Sequence, residues 1–384
     1  MKGCSNYLSF FLTVLTSSLL ACSSSDFFDK IYPPAVLTPQ EVNLPQAAVS
    51  IAAGHNHNCA ITTSGETYCW GNNEYGQLGS QGANEECGTG SYECSSTPLL
   101  LSTPVSYIDL SCEVSSSCGL DADGIVSCWG LPPIKPFTSD ITPKLLPGDI
   151  RFQSISVGDN IGICGIADDE ETYCLSNDPD YDNSTVPVAV SNGLHFIRVE
   201  SGESHACGLT ALGDIYCWGN NWSGQLGVPP EQSGGIPYSL EPVAAGTGIT
   251  WRDLAVGSNV TCGLSDDGLT YCWGSIGGLT TEENMADQGH LPSPVSNNIH
   301  FDKIFVGGYH KICGLTDTGE AYCWGSSGLL GNGSYDGSPI PARVAGNISF
   351  TTLAVGGGGH ICGIENSGMV YCWGLNYDKA TGRP

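Results

Sequence analysis

The chain has 384 residues, with 12 basic side chains against 39 acidic ones and a formal charge of −27. That acidity, with no basic block, excludes an electrostatic footprint for nucleic acid. A hydrophobic content of 40% excludes a disordered chain, and the scarcity of Lys, Arg, Met and Glu beside abundant Gly, Thr, Ser and Asn argues for an all-β fold.

The chain opens on Met1-Lys2 and runs apolar from Tyr7 to Leu20. About 14 apolar residues are too few to span a bilayer and suit the hydrophobic region of a signal peptide. The run ends Leu19-Leu20-Ala21-Cys22, followed by Ser23-Ser24-Ser25. This resembles a bacterial lipoprotein box, which implies a leader over residues 1–21 and a lipid on Cys22. Ser23 after the cysteine leans, by the same resemblance, towards the outer membrane. Residues 22–37 read as a flexible tether, and residues 38–384 as one body outside the cytoplasm. The membrane is then met only through the lipid on Cys22.

Cysteines set the frame of that body. Seven pairs are each ten residues apart: Cys59 and Cys69, Cys118 and Cys128, Cys164 and Cys174, Cys207 and Cys217, Cys262 and Cys272, Cys313 and Cys323, and Cys362 and Cys372. First members follow one another at 59, 46, 43, 55, 51 and 49 residues, and a period near 50 means a propeller or solenoid. In the first unit, alternating residues flank Thr63-Ser64-Gly65, which predicts a hairpin with a three-residue loop. Gly holds the last loop position in six units, and Glu170 is the exception. This register sets each pair opposite, as a disulfide across one hairpin of a secreted chain. Zinc sites instead bring cysteines two to four residues apart in paired sets, so no metal is expected. Cys87 and Cys94 share one long loop and are expected to pair. Cys112 then stays a buried thiol or competes for one of them; it is aligned with positions such as Gly158.

Trp follows the second cysteine in six units, each Trp followed by Gly: Trp70, Trp129, Trp218, Trp273, Trp324 and Trp373. Two units continue Asn72-Asn73-Glu74-Tyr75-Gly76-Gln77-Leu78-Gly79 and Asn220-Asn221-Trp222-Ser223-Gly224-Gln225-Leu226-Gly227. Patterns such as Leu254-Ala255-Val256-Gly257 precede the hairpins. Together these resemble the regulator of chromosome condensation repeat over about residues 38–377. The resemblance implies a seven-bladed β-propeller of four-stranded blades. Each unit reads as opening with a proline-led strand, such as Thr103-Pro104-Val105, Val186-Pro187-Val188, Glu241-Pro242-Val243 or Ser293-Pro294-Val295. The last blade then lacks a strand, which the N-terminal strand near Gln40–Leu44 supplies to close the ring.

The third unit is degenerate, with Leu175-Ser176 for Trp-Gly. Its acids at Asp178, Asp180 and Asp182 begin like a calcium loop but lack the glycine and the final glutamate, so a solvated loop is favoured over calcium. His57, His205 and His360 stand two residues before their cysteines and His310 three before. They read as a repeat signature satisfied locally by backbone, rather than a metal ring about the axis. No nucleophile elbow or phosphate loop is visible, so no catalytic residue, no cofactor and no enzyme is expected.

Function is therefore expected on the loops. Long insertions fall at residues 80–97, 228–240 and 276–292. Tyr92, Tyr181, Tyr238 and Tyr335 are the candidate partner-binding aromatics, whereas Tyr75 and Trp222 read as turn packing. The acidity favours a basic protein partner for a monomeric envelope protein. Glycan or cell-wall polymer is the alternative. Guanine-nucleotide exchange, which the family resemblance also implies, conflicts with the compartment. Inhibition of another enzyme is a further role that this scaffold could serve.

Overall fold

The computed structural model describes residues 35–87, 92–131, 139–176, 185–190, 192–228, 237–275, 291–295, 299–308, 310–325 and 328–384. Cys22, Tyr181, the acids from Asp178 to Asp182 and most of the 276–292 insertion lie outside these residues.

Seven antiparallel sheets form a propeller body. The first strands are β1 (Ala35–Val42), β2 (Ala48–Ala53), β3 (His57–Thr62), β4 (Thr67–Asn72), β5 (Glu85–Cys87) and β6 (Tyr92–Leu100). Blade 1 orders β2-β3-β4-β6 from the axis outward, with β5 added beyond β6. The inner strands of blades 2 to 7 are Tyr107–Glu113, Phe152–Val157, Phe196–Ser201, Trp251–Val256, Lys303–Val306 and Phe350–Val355. Blade 7 has three strands of its own and takes β1 as its outermost, with Val42 opposite Val370 and Ala35 opposite Leu375. Ring closure by the N-terminal strand is thus as expected, and it leaves that blade with four strands.

The cysteine hairpins are the two central strands of each blade. Cys59 faces Cys69 directly, Cys118 faces Cys128, Cys164 faces Cys174 and Cys207 faces Cys217. In the same register Cys262 faces Cys272, Cys313 faces Cys323 and Cys362 faces Cys372. All seven pairs are bridged, with Cα–Cα distances of 4.0–4.1 Å. Cys87 and Cys94 make an eighth bridge. The three-residue loop is present, closed by Thr62 N to Glu66 O at 2.9 Å, with Gly65 at φ +80°. Glu170, in the hairpin that joins Cys164 to Cys174, takes the same left-handed conformation without being glycine, at φ +69°.

The core lies between blades rather than within them. Seven buried clusters each set one blade's disulfide against the next blade's central hairpin. Cys207 and Cys217 pack with Trp273, and, across the closing seam, Cys362 and Cys372 pack with Trp70. Cys262 and Cys272 pack with Trp324, and Cys313 and Cys323 with Trp373. Cys164 and Cys174 pack with Trp218. In the degenerate third unit, Leu175 fills the place of Trp against Cys118 and Cys128. Within a blade, an aromatic at or just before the start of the inner strand lies on the Trp, as for Phe301 and Trp324 with centroids 5.6 Å apart. A glycine after the first cysteine makes room for that ring. A Cβ on Gly263 would lie 2.5 Å from the Trp251 ring. Blade 1 has no such aromatic: Ala48 stands in its place and Ala60 replaces the glycine.

Two expectations need correction. Proline-bearing segments close blades instead of opening them: Pro242 lies in Tyr238–Ala245, paired to Ile215–Asn220 as the outer strand of blade 4. An outer strand tolerates the missing N–H, because one of its edges has no ladder to complete. Thr103-Pro104-Val105 lies outside the strands altogether, in the connection after β6. Cys112 is free and buried, but it does not stand at a glycine position. It pairs with Ser117 as Val256 pairs with Thr261. Its neighbour Glu113 occupies the place of Gly54, Gly158, Gly202, Gly257, Gly307 and Gly356, whose amides close the inner turns of the other blades.

Gly263→Ala is expected to lower stability by about 1–3 kcal/mol, the usual cost of overpacking. Equilibrium denaturation under non-reducing conditions measures it. A neutral result would mean that the Trp251 ring has freedom the packing does not suggest.

Candidate functional site

Alternating strand direction sends the inner turns and the segments after each Trp-Gly to one face of the propeller, and the cysteine-hairpin turns to the other. The inner strands surround an axial channel of about 460 Å³. Its wall carries Asp109, Glu113, Arg198, Glu200 and Glu203. Arg198 is held between Glu200 Oε1, at 2.9 Å from its Nε, and Asp253 of the next blade. Three carboxylates from consecutive blades, Glu113, Asp159 and Glu203, interact near the mouth on the inner-turn face. Burial pushes the Glu113 carboxyl up to about 8, helped by repulsion from Asp159 and Glu203. Burial likewise raises Asp109 to about 6 and raises Asp159 and Glu203. A hollow of about 300 Å³ on this face is lined by His55, Ser258, Asn259, Val260, Gly307, His310 and Gly357. Among the described residues no group of three His, Cys, Asp or Glu is arranged to hold a metal.

The repeat histidines serve the seams, not the axis. His57 Nε2 is 2.9 Å from Ser117 Oγ of blade 2, and that hydroxyl donates to Gln77 O at 3.0 Å. Trp129 Nε1 donates to the same carbonyl at 2.9 Å. Because Ser117 gives its proton to Gln77, His57 is the donor and carries its proton on Nε2. His205, Thr261, Gln225 and Trp273 repeat this between blades 4 and 5. His360 Nε2, Asn58, Ala380 O and Trp70 Nε1 repeat it between blades 7 and 1. Local satisfaction by backbone is therefore corrected: each Nε2 meets a side chain of the following blade. Burial depresses all three imidazoles to about 3, which keeps them neutral. His310 does not belong to the set. Lys311 fills the equivalent position, buried, and reaches Gly359 O across the seam.

Gln77 and Gln225 thus show what the Gly-Gln-Leu-Gly segment does: its carbonyl receives the next blade's Trp. The chain end is a third such segment. Asn376-Tyr377-Asp378-Lys379-Ala380-Thr381-Gly382 aligns with Asn73 to Gly79, and Ala380 O takes the place of Gln77 O. Sequence reasoning missed it because its glycine, glutamine and leucine are replaced. The surviving signal is Asn and Gly six residues apart, three and nine after Trp373.

These segments also present aromatics. Trp222 is 75% exposed, Tyr377 45% and Tyr75 37%, so the turn-packing reading of Trp222 is corrected. Tyr335, on the same face of blade 6, is 53% exposed. Tyr238 is half-buried at the start of an outer strand. Tyr92 is half-buried and donates its hydroxyl to Asp378, so the structure turns it inward to the chain end.

Comparisons with known proteins agree with this architecture. Two family models, both described as the regulator of chromosome condensation (RCC1) repeat, match residues 48–77, 196–225 and 301–329, and residues 64–121 and 213–264. The human regulator of chromosome condensation is 26% identical over 318 residues, 77% of this chain and 64% of that protein. The chain thus spans under two thirds of that relative's length. The solved structure of Saccharomyces cerevisiae Prp20p, described with its binding to Gsp1p and histones, superposes with a TM-score of 0.68. It has 21% identity over 85% of this chain and 82% of that one. The ectodomain of the Arabidopsis thaliana receptor kinase ACR4 gives a TM-score of 0.54 and 19% identity over 86% and 98% of the two chains.

The seam histidines set a pH dependence. Their folded pKa lies below the unfolded 6.5, so their contribution is complete above pH 6.5 and is lost as pH falls towards 3. Each removes up to about 1.4 kcal/mol per pH unit in that window. Glu113 has the opposite sign: its raised pKa makes the fold lose stability as pH rises from 4.5 to 8. Denaturation midpoints between pH 3 and 9 should fall on the acid side, and Glu113→Gln should flatten the alkaline decline. An unchanged alkaline limb in that variant would remove Glu113 as its source.

Proposed function

For a propeller that carries regulator of chromosome condensation repeats, we propose the role of a non-catalytic envelope protein that binds another protein through the face bearing the inner turns and the post-Trp segments. The observation that carries this is the exposure of Trp222, with Tyr335, Tyr377 and Tyr75, on segments of that face. Exposed aromatics on a rigid frame are the side chains that dominate protein interfaces. The net charge of −27 complements a basic partner and would speed its approach. The proteins named with the similar Prp20p structure, Gsp1p and histones, are consistent with a family that recognises proteins. They do not identify the partner of this chain.

Eight disulfides favour an oxidising compartment. With the leader and Cys22, they support an extracytoplasmic protein anchored by one lipid. Among the described residues no helix is long and apolar enough to cross a membrane. Glycan is the second reading, favoured by Trp222 lying beside Asn220 and Asn221. Exchange activity towards a small GTPase is the weakest reading, since that partner is cytosolic.

Cross-linking capture from an envelope extract with the full chain should recover one protein specifically. Trp222→Ala should reduce recovery about tenfold or more, as loss of an aromatic hot spot does, and added salt should weaken capture as screening removes charge complementarity. Competition by polysaccharide with no protein recovered would favour the glycan reading and end the protein one. Cys22→Ala should move the chain from the detergent phase to the aqueous phase in partitioning. Unchanged partitioning would exclude the lipid anchor.

A further inference from the structure

The segment after blade 7 is strained; Arg383 Nη2 ties it to Glu41 O of β1 at 2.9 Å, and its turn is held by blade 1. Asp378 and Lys379 are consecutive non-glycine residues in the left-handed region, at φ +56° and +65°. Such conformations persist only where surrounding contacts over-determine them. The contacts come from blade 1. Asn56 Nδ2 and Asn72 Nδ2 donate to Asp378 Oδ2 at 3.0 and 2.9 Å, and Tyr92 Oη donates to Oδ1. Asn58 Nδ2 and Trp70 Nε1 donate to Ala380 O at 2.7 and 3.1 Å.

Of these donors, Tyr92 lies at the margin of the blade. β6 pairs with β4 as far as Cys94, opposite Asn72, and Asn73 N donates to Glu93 O at 2.9 Å. Tyr92 lies one residue beyond that point. It is held by β5, a three-residue edge strand, through the pairs Glu85–Cys94, Glu86–Glu93 and Cys87–Tyr92. The Cys87–Cys94 bridge ties this short ladder. Short edge strands open at low free-energy cost. All eight bridges are buried, Cys87 and Cys94 included; the other seven join the central strands of blades and lie in the seam clusters, whereas this one ties an edge strand.

We propose that the Cys87–Cys94 bridge is a redox-controlled latch that keeps the C-terminal segment docked on blade 1. A dithiol reductant breaks the Sγ–Sγ bond, delivering two electrons and two protons. Cys87 and Cys94 become thiols and the dithiol leaves as its own disulfide. With the bridge open, β5 releases, Tyr92 withdraws from Asp378, and the strained turn relaxes away from Asn58 and Trp70. β1 remains in blade 7, so the ring stays closed while Trp70 Nε1 loses its partner at Ala380 O.

The test uses the full chain, titrated with dithiothreitol, alkylated and mapped by mass, with amide hydrogen exchange read over residues 376–382. Cys87 and Cys94 should label before the other bridged cysteines. The amides of Ala380, Thr381 and Gly382 should then exchange about tenfold faster or more, as expected on losing a charged hydrogen bond, while those of β3 and β4 keep their protection. Tyr92→Phe should loosen the same amides with the bridge intact, independently of any folding defect in a cysteine variant. The latch is refuted if the central bridges reduce together with Cys87–Cys94. It is equally refuted if residues 376–382 keep their protection both after selective reduction and in Tyr92→Phe.

Discussion

Everything in this propeller depends on one contact repeated around the ring: the disulfide of one blade packed against the tryptophan of the next. A four-stranded blade alone has two open faces and cannot bury either. The bridge gives each blade a flat, dry, rigid surface, and the Trp supplies the area to cover it. Seven such seams replace a single central core, which leaves the axis free to be a channel. Unit three shows that the seam needs an apolar filler rather than an indole, since Leu175 occupies the site.

Polar coupling is laid over this apolar frame at selected seams. A histidine two residues before the cysteine occurs where the next blade offers Ser117, Thr261 or Asn58 one residue before its own cysteine. Where the next blade offers Ile163, Ala206 or Ile312, the preceding residue is Ser116, Gly162 or Val260 instead. Blade 7 offers Ile361, and there Lys311 bypasses the side chain to reach backbone at Gly359. The matching has a simple cause: a buried imidazole needs a partner, and an apolar neighbour would leave its donor unsatisfied.

What is legible in the residues follows from how local each interaction is. The hairpin register, its glycine loop and the bridge across it involve neighbours ten residues apart, so spacing alone reveals them, even in the unit where Cys174 is followed by Leu175 instead of Trp. The blade count follows from repetition, and closure by the N-terminal strand from the strand missing at the other end. Expectation and structure part where local pattern meets distant partners. Proline marks a strand clearly but does not say to which hairpin it belongs; Pro242 belongs to the preceding one. Cys112 departs from the alignment with Gly158 because the inner turns differ in length: Gly158 bonds to Gly162, whereas Gly54 bonds to His57. The histidines' true partners lie about 60 residues downstream or across the closing seam, beyond the reach of any spacing argument.

The segments closing the polar seams also carry exposed aromatics. Residues 73–79, 221–227 and 376–382 each aim a carbonyl inward at the next Trp. Each also turns a side chain outward: Tyr75, Trp222 and Tyr377. The same backbone hydrogen bonds therefore stabilise the ring and hold the exposed rings in place. A side chain mounted on an ordered segment loses less freedom on binding, so more of its contact energy becomes affinity. At the closing seam the same arrangement is made by residues 376–382, where Tyr92 of blade 1 also donates to Asp378.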